Sequence, residues 1–108
     1  MNFMKSALTI AATTVALLVA GTAGATDQQE LYTKALAATC ANCHGTFGKS
    51  IKDGALPSLA GMKSTYLIEQ MHAFKSGTRP ATIMHQIAKG FSDEQTQLMA
   101  NYFASQQP

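Results

Sequence analysis

Beyond position 25, apolar residues recur with the period of a helix. Leu67, Met71 and Phe74 stand at positions i, i+4 and i+7, which places them on one helical face. No stretch of this part alternates apolar and polar residues as a strand does. The pattern therefore predicts an all-α fold built from short helices.

The first predicted helix begins at about Asp27 and runs to a pair of cysteines. Thr26 or Asp27 is its expected N-cap, because a side-chain oxygen there accepts a hydrogen bond from an amide of the first turn. Leu31, Ala35 and Ala38 are spaced to share one face, which we expect to be buried.

Glycine and proline divide the middle of the chain. A loop without periodicity covers residues 45–61. Ser64 opens the next helix, and Gly77 ends it at a position where a left-handed residue is usual. Pro80 separates that helix from a short helical piece over residues 82–89, because proline disfavours helix in the residue before it.

The last helix has the clearest start signal. Ser92 and Gln95 stand three residues apart as a capping box, and two acidic residues follow Ser92 in the positive first turn. We expect this helix to end at about Ala104 and to bury four residues: Leu98, Met99, Tyr102 and Phe103.

The N-terminal 25 residues have the pattern of a cleaved export signal. Lys5 precedes an uncharged apolar run over residues 7–20, and Ala23 and Ala25 occupy the small-residue positions of a cleavage site. The run is shorter than the roughly 20 residues of a membrane-spanning helix, so we expect cleavage after Ala25 and no stable span. One exported, periplasmic domain of residues 26–108 would remain.

The charge of that domain is small. The chain has eight basic and six acidic residues, and loss of Lys5 leaves a net charge of about +1. A nucleic-acid-binding domain usually has a strongly basic face, so nucleic acid is not an expected partner.

The two cysteines are separated by two residues and followed at once by a histidine. On one helical turn, Cys40 and Cys43 would lie on the same side, about 5–6 Å apart, where both thiols can bond to the vinyl groups of one haem. His44 would then present its imidazole to the iron. The motif predicts one covalently attached haem c.

Other uses of the same residues fit less well. A disulfide between Cys40 and Cys43 would close a very short loop and restrict the unfolded chain little. A thioredoxin-like dithiol is expected beside a βαβ unit, which the pattern lacks. A structural zinc site needs four ligands, which the chain's few cysteines and histidines barely provide.

The second axial ligand of the iron is an open choice among methionines and histidines. Met84 is our candidate, because it follows an irregular approach and lies far enough from His44 for the chain to return on the opposite side of a haem. His85 is the runner-up, although neighbours on a helix point about 100° apart and cannot both face the iron. The remaining candidates read more simply as core or surface residues: Met62, Met71, Met99 and His72.

A ligating imidazole normally donates its other N–H to a fixed acceptor. Pro57 has a restricted backbone and a carbonyl without a local partner, so we propose its oxygen as the acceptor for His44. A plain turn proline is the alternative.

Together these segments resemble small class I c-type cytochromes. The resemblance rests on Cys40-Ala41-Asn42-Cys43-His44-Gly45, Leu56-Pro57-Ser58-Leu59-Ala60-Gly61 and the stretch from Arg79 to Glu94. It implies the cytochrome c fold, in which the first and last helices cross. It also implies His44 and Met84 as axial ligands and Pro57 as the residue that orients His44.

Within that class, residues 74–90 most resemble the cytochrome subunits of flavocytochrome c sulfide dehydrogenases. In those complexes a flavoprotein oxidises sulfide and the cytochrome takes the electrons from FAD. This sequence departs from the two-haem members in having a single Cys-x-x-Cys-His. The alternative is a free-standing cytochrome that carries electrons to an oxidase or reductase.

With both axial positions filled, we expect one-electron transfer rather than catalysis at the iron, with a soluble cytochrome or oxidase as the later acceptor. Arg79 and Tyr66 are candidates for holding a haem propionate, because a buried carboxylate needs a donor. Five lysines are candidates for a ring that steers partners to the haem edge: Lys49, Lys52, Lys63, Lys75 and Lys89.

Overall fold

The computed structural model describes residues 24–108. Most of the predicted export signal lies outside these residues, so its cleavage stays a prediction. Among the helices that the structure describes, none combines the length and the apolar character needed to cross a membrane.

The described part of the chain is helical, and no strand occurs in it. Its elements, in order, are α1 (24–38), α2 (Ala41–His44), a 3-10 turn (Thr46–Gly48), α3 (Ser64–Ser76), α4 (Met84–Lys89) and α5 (Asp93–Ser105). The predicted all-α class is therefore confirmed. The short helix α4 begins two residues later than the sequence suggested.

The chain divides into two compact units, Met1–Tyr32 and Thr33–Pro108. In the first unit, the described residues 24–32 are helical. The second unit contains the last turns of α1 and every other element, and all contacts described below lie within it.

The core of the second unit is small and joins its first and last helical segments. One cluster of buried side chains contains Ala37 of α1, Leu67 of α3, and Met99, Ala100 and Phe103 of α5. The C-terminal end of α1 thus contributes to the same core as α3 and α5. In addition, α3 packs on both α4 and α5.

Two expectations for α1 were wrong. The backbone is already helical at residue 24, so Thr26 and Asp27 lie inside the helix and do not cap its start. Leu31, Ala35 and Ala38 are all exposed, whereas Ala37 is buried and Leu36 is partly buried against the core. Alanine has too little apolar surface to show by spacing alone which side of a helix faces the core.

The predicted C-terminal end of α3 and the predicted N-terminal start of α5 are confirmed. Gly77 follows α3 in the left-handed conformation with φ of 81°. At the start of α5 the Gln95 amide donates to Ser92 Oγ at 3.1 Å, and the Ser92 amide donates to Gln95 Oε1 at 2.9 Å. The capping box is therefore complete.

Along α5 the predicted buried face is partly right. Met99 and Phe103 are buried, whereas Leu98 and Tyr102 are only partly covered. Thr96 and Ala100, which the sequence pattern did not select, are both 3% exposed.

Candidate functional site

A largely apolar cavity of about 380 Å³ lies between α2, α3, α4, α5 and their connecting loops. Seven of the residues that line it are those that the sequence analysis selected: Cys40, Cys43, His44, Pro57, Tyr66, Arg79 and Met84. The fold therefore brings residues from separate stretches of the chain to one space.

One helical turn carries the two thiols and the imidazole. The amides of Cys43 and His44 both donate to the Cys40 carbonyl, at 3.3 Å and 2.9 Å. Both cysteines are free, with Cys40 partly buried and Cys43 exposed. Burial raises the pKa of the Cys40 thiol, an effect that the Thr39 hydroxyl opposes and Cys43 reinforces.

His44 is buried and has one nitrogen engaged. Its Nδ1 lies 2.8 Å from the carbonyl oxygen of Pro57. A carbonyl can only accept a hydrogen bond, so Nδ1 carries the proton, and Nε2 keeps the lone pair that a metal ion needs. This is the contact that the sequence analysis expected between these two residues.

The backbone carbonyl of Gly48 fixes the loop that contains Pro57. It accepts hydrogen bonds from Ser58 Oγ at 2.9 Å, from the Leu59 amide at 2.7 Å and from the Ala60 amide at 3.1 Å. Gly48 itself has a φ of 75°, which glycine adopts at little cost. The turn after His44 thus anchors the segment that supplies its acceptor.

Sequence reasoning did not identify this role of Gly48. The available signal in the sequence was the two glycines at positions 45 and 48, both of which have positive φ in the structure. A Cβ on Gly45 would overlap the Lys49 carbonyl, and one on Gly48 would come within 2.7 Å of the Phe103 ring. Only glycine fits at either position.

Four methionines line the cavity: Met62, Met71, Met84 and Met99. The two histidine alternatives do not line it. Met99 belongs to the core cluster, and Met62 and Met71 pack against it. Met84 is not part of that cluster within the described residues. It stands at the first position of α4 and is partly buried.

The remaining histidines lie elsewhere. His72 is half-exposed, with its Nε2 3.5 Å from Asp93 Oδ1. His85 has a buried Nδ1 for which the described residues provide no hydrogen-bond partner. Neither side chain is part of the cavity wall.

Arg79 is held at the cavity by α3. Its Nη1 donates to Gln70 Oε1 at 2.6 Å, and its guanidinium carbon lies 4.6 Å from the centre of the Phe74 ring. Gln70 and Phe74 also line the cavity. Tyr66, the other propionate candidate, is 45% exposed on the same wall.

Thr96 and Ala100 complete the α5 wall of the cavity. They stand four residues apart, the spacing of one helical face. That spacing was the available signal, but a small residue facing a cavity and one facing a core look alike in sequence.

The residues present fit a covalently held haem. The cavity wall is mostly apolar, as a porphyrin face requires. Two thiols that form no disulfide lie at its edge, and the contact of His44 Nδ1 with Pro57 leaves Nε2 as the nitrogen that can bind iron. Within residues 24–108, His, Cys, Asp and Glu side chains form no group of three or more that would hold a metal ion by themselves.

The family model for cytochrome c matches residues 29–107. The chain is 39% identical over 70 residues to the cytochrome subunit of sulfide dehydrogenase from Chlorobaculum tepidum, covering 65% of this chain and 62% of that protein. It is 37% identical over 101 residues to the thiosulfate dehydrogenase electron acceptor of Stutzerimonas stutzeri, covering 90% of this chain and 47% of that protein. In each case the match spans less than two thirds of the relative.

A solved structure has a similar fold. Cytochrome c4 of Acidithiobacillus ferrooxidans superposes with a TM-score of 0.58 at 41% identity, over 61% of this chain and 37% of that chain.

Proposed function

The chain belongs to the cytochrome c family, and within that family we propose that it is the electron-accepting cytochrome of a flavin-dependent sulfide dehydrogenase. Its fold is the cytochrome c fold, and it binds haem c covalently through Cys40 and Cys43. Its general role is electron transfer. The proposal concerns its specific partner, a dehydrogenase that contains FAD.

His44 and Met84 are the proposed axial ligands. Bound haem supplies reversible one-electron chemistry between Fe(II) and Fe(III). Pro57 holds the His44 ring by accepting from Nδ1, and this fixes which nitrogen is available to the iron. If His44 and Met84 both bind the iron, no coordination position would be left for a substrate. The chain would thus act as a carrier subunit and not as the catalyst.

Arg79 is the better placed of the two candidates for a haem propionate. Gln70 and Phe74 hold its guanidinium on the cavity wall, so little side-chain entropy is lost when a carboxylate binds. Tyr66 lies on the same wall and can donate a hydrogen bond from its hydroxyl. Residues 26–108 would work in the periplasm after removal of the export signal, with a soluble cytochrome or oxidase as acceptor.

The similarity to the sulfide dehydrogenase cytochrome subunit carries this proposal. A free-standing electron carrier is the second candidate, because the chain is also similar in fold and sequence to a cytochrome c4. The two functions use the same residues around the haem and differ in what the protein binds.

Purification of the exported protein with its associated chains would separate the two functions. The sample is denatured, and pyridine haemochrome and flavin spectra are recorded together. Covalent haem accompanied by flavin on a second, larger chain is the result expected for the dehydrogenase subunit. Covalent haem without flavin favours the free carrier, and absence of covalent haem would contradict both.

A further inference from the structure

The carbonyl that accepts from His44 belongs to a loop without regular structure. Residues 49–63 contain no helix, and Pro57 itself is exposed. Proline lacks a backbone N–H, so Pro57 cannot fix its own position by donating a hydrogen bond. The position of its carbonyl oxygen, 2.8 Å from His44 Nδ1, therefore depends on how the neighbouring residues are held.

Ser58 provides the anchor next to Pro57. Its Oγ donates to the Gly48 carbonyl at 2.9 Å. Gly48 lies in the turn that follows His44, and its own amide donates to the Gly45 carbonyl at 2.9 Å. The chain and these hydrogen bonds thus form a closed ring of four residues: His44, Gly48, Ser58 and Pro57. A change at Ser58 is therefore transmitted to the contact between Pro57 and His44.

The rest of the segment is held independently of the Ser58 side chain. The amides of Leu59 and Ala60 donate to the same glycine carbonyl, at 2.7 Å and 3.1 Å. The Gly61 amide donates to the carbonyl of Phe103 in α5 at 2.9 Å. These backbone bonds remain when the serine hydroxyl is removed. Loss of the hydroxyl should therefore loosen the proline carbonyl without unfolding the loop.

The acceptor of a ligating imidazole affects how strongly the imidazole donates to the metal. A firm Nδ1–H···O hydrogen bond places more electron density on Nε2, which makes it a stronger ligand. A stronger donor favours Fe(III) over Fe(II) and so lowers the reduction potential. A looser acceptor has the opposite effect.

We propose that Ser58 is a positioning residue for the axial ligand: its hydroxyl holds the Pro57 carbonyl on His44 Nδ1 and thereby lowers the reduction potential. The inference rests on the proposed ligation of iron by His44. Ser58 does not line the cavity, so its effect passes through Pro57 and not through contact with haem. The residue thus adjusts the electron-transfer site from outside it.

Ser58→Ala removes the hydroxyl and keeps the backbone bonds. In the haem-loaded variant the equilibrium between the oxidation states should shift towards Fe(II) by about threefold, a rise in potential of about 30 mV at about 59 mV per tenfold. In the reduced variant, exchange of the His44 Nδ1 proton with solvent should accelerate about tenfold, the effect of losing one hydrogen bond of ordinary strength. Potentiometry and proton NMR measure the two quantities.

Ser64→Ala is the matched control. Ser64 Oγ donates to Asn101 Oδ1 at 2.6 Å, a bond between α3 and α5, and neither residue lines the cavity. This variant also loses one hydrogen bond between distant parts of the chain, but it should change either quantity by less than about 1.5-fold. Ser58→Thr keeps a hydroxyl at the position and should restore both quantities to the natural values.

Equal values for Ser58→Ala and Ser64→Ala would overturn the inference. Faster exchange of the His44 proton without a higher potential would also overturn it, because the contact would then not reach the iron. A Ser58→Thr variant as strongly shifted as Ser58→Ala would show that the hydroxyl is not the cause.

The proposed function is tested separately with the natural protein. Absence of covalent haem would contradict that function, whereas covalent haem with no effect of Ser58→Ala would contradict only the role of Ser58. If the Ser58 variants behave as expected but the flavoprotein of a sulfide dehydrogenase does not reduce the natural protein, the proposed partner is wrong and the role of Ser58 stands.

Discussion

At the residue scale, the four methionines of the cavity differ in what else they contact. Met62, Met71 and Met99 contribute to the hydrophobic core, whereas Met84 does not belong to the core cluster of the described residues. A thioether that fills the core cannot also move to an iron without leaving a void. Packing thus distinguishes Met84, as a candidate iron ligand, from the other three methionines, whose contacts the sequence pattern could not show.

Met84→Ala should leave a covalently attached haem with an open axial position. The ferric variant is expected to bind added imidazole and to have a lower reduction potential, because methionine ligation raises the potential. Met71→Leu is the matched control and should do neither. Visible titration with imidazole and potentiometry give the two readouts. Imidazole binding by the Met71 variant alone would contradict the assignment of Met84.

Much of this site could be predicted at the level of single residues. The cysteines and His44 are local in sequence, and their chemistry follows from one helical turn. The contact of His44 with Pro57 could be argued because a ligating imidazole needs an acceptor. The roles of Gly48, Thr96 and Ala100 could not, since they depend on which residues face the cavity after folding.

Gly48 supports a prediction about strain and packing. Gly48→Ala would force a left-handed alanine and place its Cβ against the Phe103 ring, so we expect a loss of about 2–4 kcal/mol of unfolding free energy. Gly77→Ala is the control, because φ there is 81° but no atom lies within 4 Å of the added Cβ. It should lose only about 1 kcal/mol.

Denaturant unfolding of both haem-loaded variants measures the difference. Similar losses for the two would mean that the Phe103 contact relaxes without cost, and that backbone strain explains both effects.

At the element scale, the start of α5 and the end of α3 were predicted better than the buried faces of the helices. The caps of α5 and the glycine after α3 are local signals that need no knowledge of the tertiary fold. The buried side of α1 is set by the position of α5, and spacing alone assigned Ala35 and Ala38 to it in error. The burial of Thr96 and Ala100 on α5 was also missed, because it depends on which residues face the cavity after folding.

Ser92→Ala removes half of the capping box of α5. The Gln95 amide would lose its acceptor at 3.1 Å, and we expect a loss of about 1 kcal/mol of unfolding free energy. Ser105→Ala is the matched control, because this exposed serine donates to the Tyr102 carbonyl and accepts from the Gln106 side chain in the last turn, but caps no backbone amide. Thermal unfolding of the haem-loaded proteins should rank Ser92→Ala as clearly less stable. Equal stability of the two variants would mean that the cap contributes little.

At the scale of the whole molecule, the core and the haem cavity share their wall. Leu67, Met99, Ala100 and Phe103 belong to the core cluster and also line the cavity. No large side chain of the described residues falls below 2% exposure. A domain of this size buries limited apolar surface by itself, so a haem packed on these residues completes the core instead of occupying a finished one.

This shared wall predicts that attachment of haem and folding are coupled. The double variant Cys40→Ala, Cys43→Ala cannot form either thioether, and we expect it to lose the cooperative thermal transition while keeping part of its helical far-UV signal. The single variant Cys43→Ala is the control, since the remaining bond to Cys40 can still hold haem against the core. Calorimetry and near-UV circular dichroism are the measurements. A cooperative transition in haem-free double variant would show that residues such as Leu67 and Phe103 form a sufficient core without the cofactor.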